Sequence, residues 1–576
     1  MNISELTCVI ARFNEQEGVC FSALASDAST YVATFGGVIE SKWSIRIAFS
    51  PHFPARLPDV FVDTPPKETL HIDKDGKLCL FNQSSLLLDT ANPVGIISDC
   101  VQQAVKILSL QPRTQEYQVE LQREFLSYWQ KDAAMHIYFA LNTDDMQFAE
   151  VPILRVEKGY YILSQSIQES KRLLCDVLQI EHSGDVFEEK ALVIRLQENA
   201  NPPSPFEPIT WQLFSRYLKG NVAANLRKRL DKYLRRQVKS RQPHQALIIA
   251  ILPTNDSAIV FGLVTFFRSL QAYQFSVPAA SHGVRITRID YEHMTRRGGS
   301  ESSLRDKHIL LLGCGSVGGF LANNLCQIGI TKLDLLDCDD LSLDNVHRHF
   351  LGIDAIKRKG TQNKADLMRG VLMGKYAYVE IDALNYTQRD VASVFFSSNR
   401  WHEYDLIISA LGEPTLNLEI NRRLRNAGMG TSFIACFNEP YGVGGHVIIS
   451  NLRNDSCMQC LYSVSNGGEL AFRGSFVSPG QSFERNLSGC AGAFVPYSSL
   501  DSQQTALLAS RAVVDILIGQ LSHNCLMSWK GNDSALKAFG FRTSERYSTE
   551  SKEIIVNDIK SGSCLVCISD ETRGAR

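Results

Sequence analysis

The stretch from Lys307 to Asp340, KHILLLGCGSVGGFLANNLCQIGITKLDLLDCDD, constrains the fold more than any other. An apolar run enters a glycine turn, leaves as a helix-forming segment and returns as a second apolar run. That order predicts a βαβ unit whose strands are buried and parallel. A second unit follows in YDLIISALGEPTLNLEINRRLRNAG and TSFIACF, so residues 286–576 are expected to form a doubly wound α/β, Rossmann-like domain. The remainder of the 576 residues is too long for one further core. Residues 1–134 alternate apolar and polar positions in YVATFGGVIE and KWSIRIAFS, then pass through the proline-rich SPHFPARLPDVFVDTPP. Strands, an extended loop and two closing helices, VGIISDCVQQAVKILSL and TQEYQVELQREFLSYWQKD, predict a small α+β domain. Residues 135–285 mix short strand-like runs with one basic helix and read as an α/β linker domain. In that helix Leu226, Leu230, Leu234 and Val238 make an apolar stripe under a solvated charged face.

A formal charge of −2 gives no global pull toward nucleic acid or an anionic membrane, so neither is an expected partner. The longest apolar run, ALIIAIL, is far short of a membrane span, which takes roughly 20 residues. The N-terminal residues show no secretory pattern, and a cytoplasmic protein is expected. Fifteen cysteines spread over the chain then read as reduced thiols, for metal binding or catalysis.

Gly313, Gly315 and Gly318 spell GxGxxG, which permits a tight turn and brings helix N-terminal amides close to a phosphate. Asp337, 19 residues after Gly318, ends the next strand where a ribose hydroxyl would lie. Alone, this pattern serves an NAD-dependent oxidoreductase as well as an ATP enzyme. The residues that follow, Asp337-x-Asp339, Asn345-x-x-Arg348 and Lys364, resemble the ATP-binding signature of the ThiF/MoeB superfamily, which includes ubiquitin-activating enzymes. Hydride transfer needs no such cations, whereas adenylation needs positive charge around the α-phosphate. The resemblance implies that Asp337 holds the ribose and that Asn345, Arg348 and Lys364 contact the phosphates. It also implies that Arg296 or Arg297 reaches the ATP of a homodimer partner. The family's magnesium-binding aspartate is replaced by Gly412, and Glu413 beside it is the expected substitute for Mg2+.

Cys457-x-x-Cys460 and Cys564-x-x-Cys567 are paired as in tetrahedral zinc sites, and would staple the distant C-terminal segment to the α/β domain. Between them lies NLSGCAGAFVPYSSLDSQQTALLASRAVVDIL, similar to the segment of activating enzymes that carries the acceptor cysteine, here Cys490. Cys525 is the competing candidate, and Cys314, Cys326 and Cys338 read as core residues.

With an activating half in place, FSPHFPARLPDVFVDTPP followed by HIDKDGKLCL resembles a ubiquitin-conjugating enzyme. Cys79 is its thioester carrier, and His71 stands where the family has an asparagine that stabilises the oxyanion. The order conjugating domain, linker, activating domain is similar to the ancillary conjugation enzymes of bacterial CBASS antiphage operons. That resemblance implies an acyl substrate, the C-terminus of a cGAS/DncV-like nucleotidyltransferase, activated with ATP and joined to a lysine-bearing target. Adenylation of a sulfur carrier for cofactor synthesis would use the same C-terminal half, but leaves Cys79 and its proline loop unexplained.

Overall fold

A computed structural model describes all residues except 25–30, 82–85, 132, 157–159, 179–185, 256, 271–274, 297, 300, 358–361, 385–400, 429, 454, 465–468, 487–492, 552–553, 562–563, 565–566 and 568–576. Two compact units are formed, Met1–Ser170 with His182–Arg288, and Lys171–Glu181 with Ile289–Arg576.

The first unit opens with a helix that the sequence reading lacked, α1 (Ile3–Glu17). Asn2 starts it with a capping box: its side chain accepts from the Glu5 amide, and the Glu5 carboxylate accepts from the Asn2 amide. Gly18, at φ 64°, ends it. Strands β1 (Ser22–Leu24), β2 (Ala33–Ile39), β3 (Trp43–Phe49) and β4 (Asp59–Val62) form an antiparallel meander in chain order. The proline-rich stretch is therefore not one extended loop, because Asp59–Val62 pairs with β3. Helix α2 (Pro93–Ser109) presents Ile97, Cys100, Ala104 and Leu108 to a core shared with Leu6, Phe13, Phe35 and Phe49.

Helix α3 (Gln115–Trp129) leads into a closed barrel. Its strands are β5 (Met135–Phe139), β6 (Phe148–Val156), β7 (Tyr160–Leu163), β8 (Val186–Arg195), β9 (His244–Leu252), β10 (Ile259–Leu270) and β11 (Phe275–Arg288). Around the ring the order is β10-β11-β5-β7-β6-β8-β9. Alternate residues face opposite sides of a strand. Leu247, Ile249 and Ile251 fill the interior with Ile137, Ile153 and Val193, while Ile248, Ala250 and Leu252 face an outer layer of helices. Burial on both faces is why ALIIAIL is continuously apolar. The outer layer is α3 with α4 (Trp211–Asn221) and α5 (Arg227–Val238). Leu226, Leu230 and Leu234 are buried there, but Val238 is 37% exposed, so the apolar stripe stops a turn short of the expected one.

The second unit is built on an eight-stranded sheet. Its parallel part consists of β12 (His308–Leu312), β13 (Lys332–Leu336), β14 (Glu380–Leu384), β15 (Leu406–Ser409) and β16 (Ser432–Asn438). Strands β17 (Gly444–Ser450), β18 (Cys525–Lys530) and β19 (Ile554–Asp558) extend it antiparallel, in the order β14-β13-β12-β15-β16-β17-β18-β19. Four of the described helices cover it: α6 (Ser316–Gln327), α7 (Lys364–Lys375), α8 (Pro414–Asn426) and α9 (Ser499–Leu517). Leu321 of α6, Met368 of α7 and Ala509 of α9 share a core with Ile309, Leu311 and Leu333 on one face. Ile420 and Leu424 of α8 pack on Leu310, Leu312 and Ile407 on the other, so the sheet is doubly wound. No described helix is long and apolar enough to cross a membrane.

Candidate functional site

The chain runs from β12 outward through β13 and β14, then returns to β15 on the other side of β12. Such a reversal leaves a crevice beyond the carboxyl ends of the strands. The glycine loop fills its floor. Gly313 is left-handed, φ 88°, and a Cβ there would lie 3.0 Å from the Ala410 carbonyl oxygen. A Cβ on Gly318 would lie 1.9 Å from the Gly313 carbonyl oxygen, so this glycine is needed for packing. At Gly315 a Cβ would meet nothing within 4 Å, which leaves the loop open on the side where a phosphate can approach.

Asp337 is buried, and its carboxylate accepts from the Cys314 amide at 2.6 Å and the Asp339 amide at 2.8 Å. Burial raises its carboxyl, opposed by the nearby Lys364 ammonium. The Asn363 side chain donates to the Asp337 carbonyl at 2.7 Å and caps α7 through its own oxygen, which fixes Lys364 as the first residue of that helix. Lys364 Nζ donates to Asp339 Oδ2 at 2.9 Å. Across the site, Arg348 donates to Asn345 Oδ1 from Nε at 3.2 Å and Nη2 at 2.8 Å, which orients its guanidinium. The structure thus brings Asp337, Asp339 and Lys364 into one network around the glycine loop, and Asn345 and Arg348 into a second.

His349, which stands in no sequence motif, ties the turn that carries Arg348 to the glycine loop. Its Nδ1 accepts from the Leu351 amide at 3.2 Å, so Nε2 carries the proton and donates to the Cys314 carbonyl at 2.6 Å. Burial pushes this imidazole down to about 4 and keeps it neutral.

Asn345 and Arg348 also line a cleft of about 1250 Å³ with Tyr441, Tyr497, Asp501 and Trp529. The Arg348 guanidinium lies 5.7 Å from the centre of the Tyr497 ring, and the Tyr497 hydroxyl is 3.0 Å from Ser316 Oγ at the start of α6. The Arg348–Asn345 pair and the start of α6 therefore meet at this cleft. Glu413 precedes α8, exposed and without a capping bond from its side chain, after Gly412 at φ 70°. The loop that carries it follows Ala410 and Leu411, which abut Gly313. Arg296 is exposed at the end of the short helix Tyr291–Arg296, and Arg297 lies outside the described residues.

Cys457, Cys460, Cys564 and Cys567 come together with their sulfurs all within 4.8 Å of one another. The Cys457–Cys564 and Cys460–Cys567 separations are 3.6 Å, and Cys457–Cys460 is 4.0 Å. Sulfurs at tetrahedral corners around zinc are separated by roughly 3.8 Å, so this donor set fits that ion. A hydrogen bond from Cys457 lowers the Cys460 thiol, whereas burial raises Cys567, and a bound cation would relieve that competition among thiols. Cys490 lies outside the described residues. Its competitor Cys525 is buried in β18, where burial pushes the thiol up to about 11, a poor setting for a nucleophile. Cys314 and Cys326 are core residues, but Cys338, just past β13, is only half-buried and is not one.

In the first unit Cys79 is exposed on a tight turn. The Asp73 carboxylate accepts from the amides of Asp75 and Lys77, both at 2.9 Å, and Gly76 takes φ 80° where a Cβ would strike the Val62 carbonyl at 2.5 Å. The Cys79 amide then donates to the His71 carbonyl at 2.7 Å. The His71 ring faces α3: Nε2 is 3.2 Å from Glu120 Oε2 and Nδ1 is 3.7 Å from Glu124 Oε1. The His71 amide donates to the Tyr128 hydroxyl at 2.7 Å. His71 and Glu68 both have left-handed backbones, φ 57° and 62°. Each costs roughly 1–3 kcal/mol for a residue with a side chain and persists only where its surroundings hold it.

Residues 292–494 match the ThiF family and residues 28–138 match Prokaryotic E2 family B. Over 488 residues the chain is 24% identical to the ATP-dependent ubiquitin transferase-like protein Cap2 of Pseudomonas aeruginosa, covering 81% of each. It is 27% identical over 252 residues to the protein of the same description from Vibrio cholerae, 42% of this chain and 40% of that one. The crystal structure of E. coli MccB with MccA-N7isoASN is 15% identical and aligns over 46% of this chain and 68% of that one, with a TM-score of 0.33.

Proposed function

We propose that the chain, with its ThiF-type and E2-type segments, is a fused activating and conjugating enzyme that moves a protein's C-terminal acyl group through two of its own cysteines to a lysine amine. The terminal carboxylate lies in the cleft beside Arg348 and attacks the α-phosphate of ATP, giving an acyl adenylate and pyrophosphate. Arg348, Asn345 and Lys364 balance the charge that builds on the phosphates, and Asp337 holds the ribose. Glu413 would hold the magnesium that accompanies ATP. Cys490 takes the acyl group as a thioester and releases AMP, Cys79 receives it by exchange, and the lysine nitrogen displaces the Cys79 thiolate. For His71 to steady the oxyanion, its ring must give up one of its two glutamate partners.

One observation supports this reading most: the oriented Arg348–Asn345 pair, in the turn that His349 ties to the glycine loop, stands on the wall of the cleft. A hydride-transfer site would have no use for that arrangement. The four-thiol cluster would hold zinc in a structural role, tying the C-terminal segment to the sheet. Arg296 and Arg297 would serve a partner's ATP in a homodimer. A cGAS/DncV-like nucleotidyltransferase as acyl substrate, a role in antiphage defence and a cytoplasmic setting are supported by the resemblance to CBASS conjugation enzymes.

The test incubates the protein with MgATP and a cGAS/DncV-like nucleotidyltransferase and resolves thiol-labile adducts on non-reducing gels. Wild type is expected to carry two thioesters, Cys490→Ala none, and Cys79→Ala only the first. A Cys79 adduct that survives Cys490→Ala would sink the relay.

A further inference from the structure

Helix α3 does more than close the first domain. Tyr117, Leu121, Glu124 and Tyr128 recur at spacings that place them on one helix face. The Tyr117 hydroxyl donates to the Glu68 carbonyl at 2.9 Å, and Leu121 packs with Tyr117 on fully buried Leu70. Tyr128 accepts from the His71 amide at 2.7 Å, and Glu120 and Glu124 face the His71 ring. The segment 68–71, with two left-handed residues, is thus gripped along its length by a single helix. His71 in turn pairs with Cys79 through the amide-to-carbonyl bond.

The same helix is rooted elsewhere. Phe125 and Trp129 sit in the core between the barrel and its helices, with Phe125 and Phe261 ring centres 4.9 Å apart. The Trp129 indole donates to the Gly262 carbonyl at 2.8 Å. Gly283 on β11 leaves room for the end of the helix, since a Cβ there would lie 2.5 Å from the Trp129 carbonyl oxygen.

We propose that Tyr128, Glu120 and Glu124 are positioning residues for the conjugating step, and that the barrel is the base that holds α3 so that His71 stays set against Cys79. This rests on the conjugating role proposed for Cys79. It gives the middle region a task that calls for no catalytic group there: a strained segment is useful only if something rigid holds it in register.

The experiment needs no knowledge of the natural acyl donor. Full-length protein is treated with S-phenyl thioacetate, which exchanges its acetyl group onto accessible thiols and releases thiophenol. L-Lysine is then added. Its amine nitrogen bonds the acyl carbon, the carbon–sulfur bond breaks, and the departing thiolate takes the proton the amine loses. Mass spectrometry of each cysteine peptide gives its own rate. The exposed Cys8, Cys20 and Cys175 are references within the same molecule, and the buried Cys100 reports whether the module is folded by staying unmodified. Wild-type Cys79 is expected to lose its acetyl group about tenfold faster than the references. Tyr128→Phe and the double variant Glu120→Gln/Glu124→Gln should each remove about tenfold from Cys79 alone, and Trp129→Phe about threefold. A reference rate that moves with Cys79 would mark a general rather than a positional effect and overturn the assignment. If Cys100 is modified in Tyr128→Phe, the glutamate variant decides. Wild-type discharge in the folded variants overturns the positioning role, and an unchanged Trp129→Phe overturns the barrel's part in it. Cys79 no faster than the references in wild type would instead overturn the conjugating role itself.

Discussion

His349 shows how much can depend on a side chain that touches no substrate. It links the turn that carries Arg348 to the carbonyl of Cys314, and a proton on Nδ1 would leave Nε2 donating but would break the bond that Nδ1 accepts from the Leu351 amide. Its folded pKa of about 4 lies below the ordinary 6.5, so between those values the unfolded chain binds a proton that the folded one does not. The stabilisation is complete above pH 6.5 and is lost as pH falls toward 4, roughly 3 kcal/mol in all. His349→Gln, which keeps a donor and removes the titration, is expected to flatten the fall in unfolding free energy between pH 6.5 and 4, measured by denaturant titration. The sequence held no sign of this. Gly313 and Gly318 were legible because backbone geometry and close packing restrict which residues can stand there. A lone histidine after an arginine is legible only once the fold has brought Cys314 to it. Glu120, Glu124 and Tyr128 were invisible for the same reason, since their contacts with His71 span 49 to 57 residues.

At the scale of elements, spacing predicted what is periodic and missed what is closed. The βαβ units follow from apolar runs that a parallel sheet buries on both faces, and they stand where the sequence put them. The barrel gave no such signal: seven strands of uneven length, some buried on both faces, look like unrelated apolar fragments until β9 meets β10. The two CxxC pairs were the opposite case, legible at a distance of about 100 residues because chelation tolerates any intervening chain. With zinc bound, β19 is anchored just ahead of Cys564, at the end of the sheet. Removing the metal with a strong chelator, or replacing Cys457 by Ser, is expected to lower the thermal midpoint by several degrees. Metal analysis should give one zinc per chain, and an unaltered midpoint after complete metal removal would refute the staple.

For the molecule as a whole, the proposed relay joins its two thiols in one chain, which would make their exchange a first-order event. The rate at which acyl group appears on Cys79 should then be independent of protein concentration in wild type. An equimolar mixture of Cys79→Ala and Cys490→Ala chains should transfer in proportion to concentration, and more slowly at low concentration, as followed by quenched-flow gels. Equal rates for mixture and wild type at high dilution would count against transfer within one chain. ATP–pyrophosphate exchange should persist in both cysteine variants, because the adenylate forms before either thiol acts.

The barrel closes hydrogen bond by hydrogen bond, from β9 back to β10. A ring has no unpaired edge, and an unpaired edge is where one chain templates the misfolding of another. In the proposed conjugation the enzyme would present activated acyl groups to other polypeptides, and so meet unfolded tails and loose strands at close range. Among the described residues, the barrel offers such guests no open strand edge.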